Sequence, residues 1–132
     1  MQTTNEGKIR EIIGGDTKLL VEEAEEIGKF VANRGRGLAT SQIRNVFGAV
    51  KKLEIKAKTS HEISETAHSE LLLLIPRLAY MDARAKKRES KELKEILSFA
   101  IKEIKGDFER FLNFCKFFEA ILAYHRASGG KS

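Results

Sequence analysis

The sequence predicts an all-α fold, a compact bundle of about five helices. One Pro, no Trp and a high share of Leu, Ile, Ala, Lys and Glu favour helix over sheet. Apolar residues recur at helical spacing along most of the chain, and Gly, Ser, Thr or Asp stand where those periodic stretches stop and start. With 132 residues the chain has the size of one domain with one core.

Taken in order, residues 1–15 carry a short apolar beginning (Ile9, Ile12, Ile13) that Gly14-Gly15 ends, and read as a flexible arm or a single helical turn. The domain proper is expected over 16–127. Asp16 or Thr17 can cap a first secure helix in which Leu19, Leu20, Ala24, Ile27 and Val31 face inward and Glu22, Glu23, Glu25 and Glu26 outward. It ends near Asn33. After the loop from Arg34 to Gly37, Thr40 or Ser41 is expected to cap a helix whose apolar face is Ile43, Val46, Phe47, Val50, Leu53 and Ala57. A third helical region runs from about Ser64 to Lys87, with Leu71, Leu72, Leu74, Ile75, Leu78 and Ala79 expected inside, and Pro76 must kink it or begin a new helix there. A fourth spans roughly Ser90–Lys105 and is stopped by Gly106. Asp107 then caps Phe108–Ala127, where apolar residues cover about half the helical wheel, so this helix is expected at the centre. Residues 128–132 read as a disordered tail.

Composition excludes several classes. The N-terminal stretch has no apolar run of the length a secretory signal needs, and no stretch approaches about 18 consecutive apolar residues. No membrane partner is expected. Cys115 is the single cysteine, so neither an intramolecular disulfide nor a cysteine-based zinc site is possible, which fits a reducing, cytoplasmic setting.

The residues that could carry chemistry do not assemble into a site. His61, Glu65 and His68 share a helix face, but the two histidines lie two turns apart, too far to hold one small ion comfortably, and HExxH spacing is absent. Cys115 and His125 fall on the apolar arc of the last helix, ten residues apart, and read as a buried thiol and a satisfied core histidine. No carboxylate pair suited to acid–base work and no P-loop is present. No enzyme activity, metal or cofactor is expected.

Charge is what stands out. Residues 34–58 hold 7 basic and 1 acidic side chains, residues 77–94 hold 7 and 3, and the intervening 59–76 is net acidic. Arg34 and Arg36 lie in a glycine loop before a helix start, whose free N–H groups favour an anion such as phosphate. Beyond it Arg44, Lys51 and Lys58 recur every seventh residue, with Lys52 and Lys56 alongside, facing away from the apolar stripe. At about 10 Å per heptad, successive cations could meet successive phosphates. Aromatics are scarce in these segments, Tyr80 being the exception, so the expected ligand is a sugar-phosphate backbone bound without sequence choice rather than stacked bases. The alternative is a helical protein–protein module whose basic faces only keep it soluble.

Three stretches go further: Leu38–Phe47 (LATSQIRNVF), Leu71–Tyr80 (LLLLIPRLAY) followed by Arg84, and Phe111–His125 (FLNFCKFFEAILAYH). In this order and spacing the chain resembles the small helical subunit of the type III-A CRISPR (Csm) interference complex over about residues 17–127. The resemblance implies a five- or six-helix bundle present in more than one copy beside the backbone subunits, lining the channel for the crRNA–target RNA duplex without cleaving it, in antiviral defence. It matches Arg44, Arg77 and Arg84 to the family's basic positions, whereas Arg34, Arg36, Lys51, Lys52 and Lys56 rest on the charge argument. Phe117, Ala120 and Tyr124 lie on the last helix away from its main apolar arc; Phe117 and Tyr124 are candidates for a subunit contact, unless another helix of the bundle covers them.

Overall fold

The computed structural model describes residues 5–132, so the first four positions of the expected arm lie outside the described residues. Six helices follow one another: α1 (Glu6–Ile13), α2 (Thr17–Ala32), α3 (Thr40–Ser60), α4 (Glu65–Ala85), α5 (Arg88–Ile104) and α6 (Phe108–Ala127), with a 3-10 turn at Asn33–Gly35 between α2 and α3. No strand occurs among the described residues. Side-chain caps set most of the starts. Asp16 accepts from the Leu19 N–H at 3.0 Å, Ser64 from Ala67 at 3.1 Å and Asp107 from Arg110 at 2.9 Å.

The sixth helix is α1, where a flexible arm or a single helical turn was expected. Asn5 caps it, accepting from the Lys8 N–H at 2.8 Å, and Ile9, Ile12 and Ile13 are all buried against α5, α6 and α2. Burying an isoleucine is worth roughly 1.5–3 kcal/mol. That gain holds down a helix too short to persist alone. Its docking also buries Glu23, expected on the solvent face of α2, with Lys8 Nζ 3.5 Å from its carboxylate.

At the centre lies α6, with Phe111, Phe114, Phe117, Phe118 and Ile121 buried. The expectation of a subunit contact at Phe117 fails, because α2 runs along that side of α6 and leaves the ring no exposed surface. Tyr124 is half-buried under the same contact. Gly28 makes it possible. A Cβ at this position would stand 2.6 Å from Tyr124 Cβ and 2.8 Å from the His125 backbone nitrogen, closer than such atoms approach.

An outer layer is formed by α4, which packs on α5 and α3 through Leu71, Leu74, Leu78 and Met81. Pro76 sits inside one continuous helix rather than starting another. Proline leaves the Leu72 carbonyl without its helical donor. Both residues lie on the exposed side of α4, where that loss costs least.

Residues 128–132, expected as a disordered tail, fold back over the start of α3. Neither Thr40 nor Ser41 caps α3 with its hydroxyl. Instead the Gln42 side chain accepts from the Ala39 N–H at 2.9 Å, and the Lys131 and Ser132 carbonyls accept from the N–H groups of Thr40 (2.7 Å) and Ser41 (3.1 Å). Beneath the tail the buried His125 ring places Nε2 2.6 Å from the Leu38 carbonyl; since a carbonyl only accepts, Nε2 carries the proton. Gly130 lies directly on that ring, with no room for a side chain.

Two glycine substitutions should therefore move stability in opposite directions. Gly28→Ala forces α2 and α6 apart and is expected to lower unfolding free energy by about 1–3 kcal/mol despite its better helix propensity. Gly48→Ala, in α3 with nothing within 4 Å of the added carbon, should raise it by about 0.5–1 kcal/mol. Denaturant unfolding of both variants checks the pair.

Candidate nucleic-acid interface

Inward-facing Ile43, Val46, Val50 and Leu53 anchor α3, while Leu74, Leu78 and Met81 anchor α4. The surfaces that these two helices turn outward meet in an open groove of about 600 Å³. Gly48, Ala49, Leu53, Leu73 and Leu74 line it with small and apolar groups, and Arg44, Lys52 and Lys56 of α3 and Arg77 of α4 supply its charge. Glu70 is the acidic residue of the lining. A second hollow of about 380 Å³ lies beside the first, sharing Asn45 and Arg77 with it, and adds Arg84. Five of the eight expected cations are thus brought to one surface from two consecutive helices.

Among the described residues, none of these five takes part in an ion pair, and all are exposed. Arg77 donates to Asn45 Oδ1, which ties α4 to α3 across the groove, and Arg84 donates to the Tyr80 hydroxyl at 3.4 Å. Hydrogen bonds to neutral partners orient a guanidinium without cancelling its charge.

Lys51 is different. Its Nζ lies 2.7 Å from Glu54 and 3.4 Å from Glu119 of α6, over the Phe47 ring, and Lys58 Nζ lies 3.3 Å from the other Glu54 oxygen. The expected stripe of Arg44, Lys51 and Lys58 is therefore split: the last two are committed to a buried carboxylate on the α6 side, and only Arg44 faces the groove. Burial alone would raise the Glu54 pKa, but hydrogen bonds and charge from Lys51 and Lys58 outweigh it and hold the carboxyl below its ordinary value. The Glu54 hydrogen bond in turn raises Lys51 above its own.

Arg34 and Arg36 stand apart from the groove. Arg34 has left-handed backbone (φ 55°) in the 3-10 turn, and the carbonyls of Arg36 and Gly37 accept from Lys87 Nζ at 3.1 and 2.9 Å. The N–H groups at the start of α3 that were expected to attract phosphate already serve the tail carbonyls. Both guanidiniums are exposed, but the anion seat between them and α3 is filled by the chain itself.

No group of three or more His, Cys, Asp or Glu side chains suited to a metal is found among the described residues. Cys115 is buried, and desolvation pushes its thiol up to about 12, so little thiolate exists at neutral pH. No helix among the described residues is long and apolar enough to cross a membrane.

The residues less visible in sequence are those that shape the groove. Leu72 and Leu73 are exposed to 42% and 62% and Tyr80 to 64%, so α4 presents apolar and aromatic surface beside the cations. Leu72 and Ala79 were expected inside, but the buried stripe is Leu71, Leu74, Leu78 and Met81, which leaves Leu72, Leu73 and Ala79 on the exposed side.

Glu54 generates a pH test. Its depressed pKa means that the stabilisation is present above the ordinary carboxylate value of 4.5 and is lost as pH falls through the lower folded-state value. Glu54→Gln should melt below the wild type at pH 7, and the gap should close as pH drops below 4.5; thermal melts across that range read it.

The family model for Csm2 of type III-A matches residues 15–131. Comparison with curated proteins and with solved structures gives no match. The matched span runs from just after α1 to the tail and includes the whole α3–α4 groove. The chain belongs to the type III-A Csm2 family, the small subunit of the type III-A CRISPR Csm complex.

Proposed function

We propose that this chain is a non-catalytic, cytoplasmic subunit that holds the sugar-phosphate backbone of the crRNA–target RNA duplex along the α3–α4 groove, without reading sequence, while it packs beside the backbone subunit and further copies of itself. The observation that carries this reading is the convergence of Arg44, Lys52, Lys56, Arg77 and Arg84, free of acidic partners among the described residues, on one open surface. Phosphates bring the negative charge these cations lack, and counterions released on binding supply much of the affinity. The groove offers no nucleophile, no paired carboxylates and no metal cluster among the described residues, so the reading assigns it a holding role.

Lys51 drops out of the RNA-contacting set because its charge serves Glu54 and Glu119. Arg34 and Arg36 remain as peripheral cations on the preceding loop. Tyr124, half-buried, is a weaker subunit contact than expected. A protein-binding role has one observation in its favour, the exposed Leu72 and Leu73 of α4, and fits the contact with neighbouring subunits rather than displacing the RNA reading.

If three or four of the groove cations meet phosphates, log affinity for duplex RNA should fall against log salt with a slope of about −2 to −3.5. Lys52→Ala is expected to weaken binding of every sequence alike and to reduce that slope by about 1, while Lys51→Ala leaves both unchanged. Fluorescence titrations over a salt series test this. A flat salt response, or equal losses in the two variants, would contradict the groove as the binding surface.

A further inference from the structure

The hollow beside the main groove has a chemistry that phosphate binding leaves unused. It is lined by Ser41, Gln42 and Asn45 of α3 and by Arg77, Tyr80 and Arg84 of α4. At about 380 Å³ it falls in the range of small-ligand sites. The Tyr80 ring is 64% exposed, an unusual position for a large aromatic that no core contact requires. Arg84 holds it in place, with its guanidinium carbon 5.8 Å from the ring centroid and Nη1 donating to the hydroxyl at 3.4 Å. Such a ring is a preorganised stacking platform flanked by positive charge.

The two amides beside it have defined orientations. Asn45 Oδ1 accepts from Arg77, and Gln42 Oε1 accepts from the Ala39 backbone N–H at 2.9 Å. Both partners are donors only, so each amide is oriented with its oxygen toward that donor, which leaves its amino group as the donor open to a ligand. Together with the guanidiniums of Arg77 and Arg84, the hollow offers hydrogen-bond donors around an aromatic face. At the position that tells the bases apart, uracil O4 or guanine O6 complements such a wall, whereas the N4 amine of cytosine or the N6 amine of adenine presents another donor to it.

We propose that this hollow is a subsite for one unpaired nucleobase, stacked on Tyr80 and favouring the keto bases uracil and guanine. The inference rests on the reading of the adjacent groove as an RNA-backbone site, and adds to it a contact with a base at a single position. A scarcity of aromatics in the basic segments argued against stacking from sequence; one exposed ring is enough for one base.

The test compares binding of the full chain to three octamers of equal charge: oligouridine, oligocytidine and a backbone carrying abasic sites throughout. The expected order is uridine tightest, cytidine several-fold weaker and abasic weakest. Tyr80→Ala should lower uridine affinity at least about fivefold, towards the abasic value, without changing abasic binding, while Tyr80→Phe retains the preference. Gln42→Glu keeps the oxygen that accepts from Ala39 but replaces the amino group with an acceptor, and should erase or reverse the uridine-to-cytidine ratio. Circular dichroism melts confirm that each variant is folded. Equal binding of all three octamers by the wild type, unaffected by Tyr80→Ala, overturns the base subsite and leaves the backbone reading intact. Failure of the wild type to bind any octamer overturns the subsite, and failure to bind duplex RNA with salt dependence as well overturns both.

Discussion

The close approach of α2 to α6 at Gly28 is the constraint on which the rest of the bundle depends. With no side chain at that position, the two backbones pack directly, and the Phe117 side of α6 is sealed. Helices α1, α3 and α5 also pack on α6, so its phenylalanines are enclosed by several neighbours. Little of α6 is left for α4. It takes an outer position across α3 and α5, and its far side remains open. The groove and the exposed leucines are consequences of that arrangement: an outer helix with one apolar stripe buried leaves its remaining faces to solvent or to partners.

Electrostatics then divides the lysines of α3. Glu54, buried one turn from both Lys51 and Lys58, draws two cations to the α6 side, where they neutralise a charge that would otherwise be costly to bury. Lys52 and Lys56, displaced around the helix by about 100° per residue, escape that carboxylate and join Arg44 in the groove. One acidic residue thus separates structural cations from those available to a ligand, and the groove keeps Arg44, Lys52, Lys56 and Arg77 against Glu70 alone among its lining residues. Arg77, bonded to Asn45, adds a cation from α4 at the junction of the two hollows.

How much of this was legible follows from the kind of interaction involved. The bounds of α2 and α6 were readable because Asp16 and Asp107 make local caps and the apolar periodicity is strong. The helix at 6–13 was not, since its three isoleucines say only that a surface must cover them, and a two-turn helix exists only once α5 and α6 do so. The tail has a composition that argues for disorder, yet the N–H groups of Thr40 and Ser41 have no side-chain cap and its carbonyls meet that need. Arg44, Arg77 and Arg84 were named from the sequence, but their meeting with Lys52 and Lys56 depends on how α3 and α4 pair. The pairing of Lys51 with Glu54 is hidden in sequence because a helical wheel gives a lysine's direction and not the burial of the carboxylate beside it. Tyr80 stands as a lone aromatic in the basic segments of the sequence, and its exposure beside two oriented amides is a property of the fold.

If the α3–α4 groove, and not the Lys51–Glu54–Lys58 side of the same helix, meets RNA, the lysines on the two sides of α3 should differ in their protection by RNA. Lysine acylation footprinting of the assembled Csm complex, before and after binding target RNA and again after RNase digestion, measures it directly. Protection of Lys52 and Lys56 that is lost with the RNA, with Lys51 and Lys58 unchanged throughout, is the predicted result. Unaltered reactivity of Lys52 and Lys56 in all three states would contradict it.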